Sequence, residues 1–143
     1  MRHVERSALV PFTAEAMFDL VADVESYPDF LPGCRAATVH SRDGDQVVAS
    51  IALAEGPLRA EFRTRNRLSR PDSITMRLVE GPFSALEGTW TFSPLGTDGS
   101  RVSLALEFEF ASGVVDALMG PVFASLCNRL VDAFVQRARA APG

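Results

Sequence analysis

The side chains able to do chemistry are few, and their spacing narrows what that chemistry can be. Thr64 and Asn66 stand two residues apart in a run, 58–69, that alternates apolar and polar side chains with a period of two. Leu58, Ala60, Phe62, Thr64, Asn66 and Leu68 share one phase; Arg59, Glu61, Arg63, Arg65 and Arg67 share the other. Four arginines cannot all be buried unpaired, so the first phase faces inward and carries Thr64 and Asn66 with it. Two polar groups among apolar neighbours have two uses. They bond to nearby backbone or water, or they supply the few convergent polar contacts of an apolar small-molecule site. The outward Arg59, Arg63, Arg65 and Arg67, with Arg70 and Arg77 nearby, either pair with Glu61 and neighbouring acids or contact the phosphates of a lipid surface or an RNA.

Other chemistries are excluded or weak. All 14 basic residues are Arg, so Schiff-base and lysine-nucleophile chemistry have no residue to use. The two His, His3 and His40, lie far apart, and the two Cys, Cys34 and Cys127, form no CxxC; no metal site is expected. GxSxG, GxGxxG and a Walker loop are absent. Glu107 and Glu109 sit at strand spacing on the outward phase, and Asp19, Asp23, Glu25 and Asp29 cluster around small helices; both groups read as solvated faces. Cys34 reads as structural, with nothing nearby in sequence to lower its pKa.

The elements that must position these residues follow from period and punctuation. The 143 residues, 47% hydrophobic and 22% charged, make one domain, 1–143. The net charge of −4 disfavours a general nucleic-acid binder, and no DNA partner is expected. Charges or Gly/Pro interrupt every apolar stretch, so no membrane span is expected, and the charged start without an apolar core points to a cytoplasmic protein. A strand is predicted at 2–11, a helix after an N-cap at Thr13, and a second short helix or turn around 24–30. Six strands follow at 34–42, 46–55, 58–69, 72–80, 83–94 and 101–111. Breaks such as Asp43-Gly44 and Gly56-Pro57 are too short for anything but antiparallel neighbours. A long helix at about 114–138 carries an apolar stripe that includes Val115, Leu118, Met119, Val122 and Leu126, with a kink or fresh start expected at Gly120-Pro121.

This order, β-α-α-β-β-β-β-β-β-α, predicts an α+β fold in which a curved seven-stranded antiparallel sheet buries one face against the terminal helix. Such a sheet commonly leaves a concave interior. Inward phases place Met76 and Leu78 on one strand, Leu86 and Trp90 on the next, with Gly88 between them leaving space. Phe108 and Phe110 take the inward phase of the last strand.

Several stretches together resemble the bacterial coenzyme Q-binding proteins of the START-like superfamily, also known as ribosome-association toxins or polyketide cyclase/lipid transport proteins. They include residues 17–34, Phe62-Arg63-Thr64-Arg65-Asn66, Gly81-Pro82-Phe83, residues 86–92, residues 106–110, Gly120-Pro121-Val122-Phe123 and residues 132–138, in order over about 4–138. Tyr27 to Cys34 with Gly81-Pro82-Phe83 is the most specific part. The resemblance implies a helix-grip fold with an internal tunnel, and a link to ubiquinone in respiration. One relative is described as a toxin that binds the large ribosomal subunit and blocks subunit joining. Two departures stand out: Gly33 replaces the family's usual tryptophan, and residues 140–143 lack its aromatic tail.

The combined expectation is a non-catalytic carrier of a hydrophobic ligand, ubiquinone first, with no cofactor required. Phe62, Met76, Leu78, Trp90, Phe108, Phe110, Met119, Phe123 and Leu126 would form the walls, with Thr64 and Asn66 as polar contacts. Tyr27, Phe30, Leu31, Gly120 and Pro121 would flank the entrance. The alternatives are a translation inhibitor docking on the ribosome through the arginines, and a polyketide cyclase; the arginines also allow peripheral contact of the cytoplasmic protein with the inner membrane. A cyclase needs an acid–base group that Thr64, Asn66 and Tyr27 do not offer.

Overall fold

Each short break between residues 34 and 110 turns the chain back beside the strand it has just left. The structure, a computed structural model, describes residues 1–140; the tail residues 141–143 named above lie outside the described residues. Strand β1 (Arg2–Val10) leads into helix α1 (Ala14–Ala22) and a 3-10 turn of helix (Val24–Asp29). Six strands follow: β2 (Cys34–Asp43), β3 (Gln46–Glu55), β4 (Leu58–Ser69), β5 (Ser73–Glu80), β6 (Phe83–Leu95) and β7 (Gly99–Phe110). All pair antiparallel in one sheet of order β1-β7-β6-β5-β4-β3-β2. β1 and β2 are therefore the sheet's margins, and the ladder of β2 is interrupted twice, between Cys34 and Ala36 and between Val39 and Ser41.

The helix that completes the grip is two segments, α2 (Gly113–Asn128) and α3 (Leu130–Ala140). No fresh start occurs at Gly120-Pro121. Pro121 lies inside α2, and the break falls at Arg129, whose N–H turns back to the Leu126 and Cys127 carbonyls. A contact from the far end of the chain lies beside the Gly120-Pro121 turn. Arg2 lies against Gly120, where a Cβ would collide with its Nε. Its Nη2 donates to the Asp116 carbonyl at 3.1 Å and pairs with the Asp116 carboxylate at 3.4 Å. The carbonyl that Pro121 leaves without its helical donor is that of Ala117, next to the Asp116 carbonyl that Arg2 holds.

Asp116 also fixes the rotation of α2, because its Oδ1 accepts from the Phe110 N–H at 3.0 Å. Asp116, Gly120, Phe123 and Cys127 consequently face the sheet, whereas Val115 and Leu118, expected in the buried stripe, are exposed. The rod Gly113–Ala140 is long and apolar enough to cross a membrane by length and composition alone, contrary to the reading from its interruptions. Its apolar content includes Phe123, Leu126, Val131 and Phe134, which are buried against the sheet.

Local chemistry holds the small helices. Thr13 caps α1 by accepting from the Ala16 N–H at 3.1 Å. The acidic cluster is tied down: Asp19 is held by Arg70 at 2.8 and 2.9 Å, and Glu25 pairs with Arg42 at 3.4 Å. The hydrogen bond from Arg70 lowers the Asp19 pKa. The interior forms two apolar clusters, one under α1 and α3 around Trp90, Phe92 and Phe134, the other under α2 around Phe83, Phe108 and Phe123.

Candidate functional site

Between sheet and helices lies a cavity of about 100 Å³ whose walls come from both clusters. At about 30 Å³ per water that volume is room for roughly three waters, or for a small ring, but not for a long prenyl chain as well. β4 contributes Phe62, Thr64 and Asn66, β5 Met76, β6 Leu86 and Trp90, and the terminal helices Phe123, Leu126 and Phe134. The 3-10 turn and the loop after it add Val24, Tyr27, Leu31 and Pro32.

Thr64 and Asn66 are both buried, and they meet each other: the Thr64 hydroxyl donates to Asn66 Oδ1 at 2.8 Å. Thr64 has only one proton to give, so the donor this pair can offer a guest is the Asn66 amide. The pair suits a carbonyl or methoxy oxygen on an otherwise apolar molecule.

The remaining polar groups in the wall are held neutral. The Tyr27 hydroxyl donates to the Val21 carbonyl, and burial, with smaller effects of Cys34 and Asp23, pushes its pKa well above the usual phenol range. Burial raises the Cys127 thiol to about 12 and also raises Cys34, whose Sγ contacts the Ala36 carbonyl at 3.7 Å. Among the described residues the lining contains no His, Asp, Glu, Lys or Arg. Nothing in it can take or give a proton near neutral pH, which is what proton-transfer catalysis would require. Among the described residues no group of three or more His, Cys, Asp or Glu could hold a metal ion.

The structure brings together Phe62, Thr64, Asn66, Met76, Trp90, Phe123 and Leu126 of the predicted wall, with Tyr27 and Leu31 of the predicted entrance. It places the others elsewhere. Phe108 and Phe110 are packed into a ring cluster, with Phe108–Phe123 centroids 4.6 Å apart and Phe83–Phe110 stacked at 4.5 Å. That end of the interior is filled by the protein's own rings. Leu78 and Met119 pack on the outside of the same cluster. Phe30 lies edge-on to Phe134 at 5.3 Å beneath the Arg137 guanidinium. Gly120 lies against Arg2 and Pro121 is exposed, and neither lines the cavity.

Ala49, Ile51 and Leu53 of β3 also line the cavity, although the sequence pattern does not mark them. The run Val47–Ala54 is apolar on both phases apart from Ser50, so alternation there is hard to read. Cys34 and Cys127 also reach the wall. Gly33, at φ +73°, turns the chain beside them: a Cβ there would stand 3.1 Å from Glu55 Oε2 and 3.2 Å from Leu126 Cδ1. The Glu55 carboxylate pairs with Arg129 at 3.1 Å across the helix break.

On the outer face of the sheet the arginines divide. Arg67 pairs with Asp45 at 3.6 Å, Arg63 Nε reaches Ser50 at 3.4 Å, and Arg59 bonds the Gly56 and Leu58 carbonyls at 2.8 and 2.7 Å. Arg65 and Arg77 stand directly opposite each other, and among the described residues neither carries an ion pair.

A sheet gripping a terminal helix around an apolar hollow defines a helix-grip fold. The chain belongs to the family described as polyketide cyclase/dehydrase and lipid transport, whose model matches residues 10–135. It is 44% identical over 137 residues to a Pseudomonas aeruginosa protein named ribosome association toxin RatA, covering 96% of this chain and 95% of that one. It is 25% identical to the mitochondrial coenzyme Q-binding protein COQ10 of Drosophila melanogaster, covering 99% of this chain and 60% of that one. A crystal structure of a Thermus thermophilus protein shares the fold with a TM-score of 0.86 at 22% identity, covering 99% of this chain and all of that one.

Proposed function

We propose that this protein binds, without transforming it, an apolar guest that carries oxygen acceptors, with ubiquinone the leading candidate. The observation that carries this reading is the buried Thr64–Asn66 pair in a wall otherwise apolar and free of acid–base groups. A quinone ring matches that wall in character: a flat apolar body with carbonyl and methoxy oxygens for the Asn66 amide. The COQ10 name of the Drosophila relative supports the same class of guest. The chain of a full-length prenylated quinone must leave the cavity, so the protein encloses the head and escorts the molecule rather than burying it whole. Peripheral contact with a membrane fits such a carrier. Native mass spectrometry and lipid extraction of freshly purified protein test this directly. A quinone recovered in near-stoichiometric amount is expected, whereas protein that stays empty when offered ubiquinone overturns the reading.

A second reading uses the other side of the molecule. The unpaired Arg65–Arg77 couple, with Arg59, Arg63 and Arg67 in the same strand as Arg65, offers guanidinium groups to phosphate, and the name of the Pseudomonas relative favours a ribosomal partner. Co-sedimentation with large ribosomal subunits should fall steeply with salt and be lost in an Arg65→Glu plus Arg77→Glu variant. Co-sedimentation unchanged by that variant overturns this surface as the contact.

A further inference from the structure

We infer that the guest site has a second compartment, reached past Met76, and that Gly88 governs access to it. This rests on the cavity-binding reading above. Behind the main cavity lies a small hollow of about 10 Å³, walled at its far side by Val21, Val47, Leu68 and Ile74. As it stands it has room for about one water. The two hollows share five residues, Val24, Tyr27, Asn66, Met76 and Trp90, which together form the partition between them.

Four of the five are held in place. Tyr27 is tied to the Val21 carbonyl, and Asn66 accepts from Thr64. Trp90 lies edge-on to Phe134 at 5.2 Å and parallel to Phe92. Val24 is β-branched and buried at the start of the 3-10 turn. Met76 is different: half-buried, unbranched, and with three rotatable bonds.

The place where its tip rests is specific. Gly88 faces Met76 across the β5–β6 ladder. A Cβ at Gly88 would stand 2.8 Å from Met76 Cε and 2.8 Å from Leu106 Cδ1, closer than side chains tolerate. The missing side chain is thus a notch into which the ends of two cavity-wall residues withdraw. Filling the notch drives both ends back toward the cavity, while shortening Met76 merges the two hollows. The far walls of the small hollow are aliphatic, so once Met76 moves aside it takes a short aliphatic or olefinic substituent of a guest whose polar ring stays beside Asn66, whereas a long chain leaves the cavity.

Trp90 is the chain's one tryptophan and belongs to both hollows, so its emission reports occupancy of either. The test titrates wild type, Met76→Ala and Gly88→Ala with the dimethoxy-methyl benzoquinone ring alone and with the same ring bearing one prenyl unit. The readout is the ratio of the two affinities. Met76→Ala should raise the preference for the prenyl compound by about tenfold, and Gly88→Ala should lower it by a similar factor. Met76→Leu keeps the volume but cannot follow the thioether's path, so it lowers the preference even if Gly88→Ala fails to fold. One ratio shared by wild type and all folded variants overturns the second compartment and leaves the cavity reading standing. Binding of neither compound to wild type removes the cavity reading, and the compartment with it.

Discussion

Thr64 and Asn66 are polar side chains that satisfy much of their hydrogen-bonding capacity on each other, and the effect of disturbing them differs by partner. Asn66→Leu removes the amide donor and leaves the buried Thr64 hydroxyl without its acceptor. Guest affinity should fall about tenfold, corresponding to one hydrogen bond of about 1–1.5 kcal/mol, and the variant should melt earlier. Adding Thr64→Val removes the orphaned hydroxyl and should restore the melting temperature without restoring the affinity, which separates a binding role from a packing one. The cysteines give a pH signature. The folded state holds the Cys127 proton up to about 12, above the ordinary thiol value of 9.0, so it binds more protons than the unfolded chain between those values. The stability this confers is complete below pH 9.0 and is lost as pH rises toward about 12, with Tyr27 and Cys34 acting in the same direction. Denaturant unfolding should show stability falling over that alkaline range, and Cys127→Ala should flatten part of the slope. A thiol-specific reagent at about pH 8 should label native protein far more slowly than unfolded protein.

At the scale of elements, the seating of Arg2 on Gly120 sets helix propensity against a long-range clamp. Gly→Ala inside a helix ordinarily stabilises by about 1 kcal/mol. Here the added methyl collides with the guanidinium that holds Asp116, and the two effects oppose each other. Gly120→Ala should therefore yield its stabilisation of about 1 kcal/mol only in an Arg2→Ala background, and chemical denaturation of the four proteins of that cycle measures the coupling. Strands are legible because alternation in 58–69 and 101–110 and the short Gly/Pro breaks are local signals. The helix break is not, because Gly120-Pro121 is a local breaker through which the helix runs on, while the break itself falls at Arg129, which no local breaker marks. The site is half legible for a related reason. Alternation tells which face a residue takes, not how far along the strand it sits, so Phe108 and Phe110 share a phase with cavity-lining Leu106 yet lie in the ring cluster.

Over the whole molecule, interior and exterior are assigned to different tasks. The cavity is neutral and apolar, whereas the outer face changes sign across the sheet: Arg65 and Arg77 on β4 and β5 give way to Glu87 and Glu107 on β6 and β7 in one cross-strand row. A net charge of −4 thus coexists with a basic half-face. The two readings of function are separable on that ground. Reversing Arg65 and Arg77 should leave quinone affinity as it is, and emptying the Asn66 position should leave any ribosome contact as it is. The sheet's margin at β2 adds a last consequence. A lone outer strand offers its unsatisfied amides to any other chain, and a straight row of them would recruit a neighbour and grow. Here the row is broken in two places, and Arg35, Arg42 and Asp43 stand exposed along it. An approaching backbone meets gaps and charge in place of a template, so crowding at high concentration need not zip one molecule onto the next.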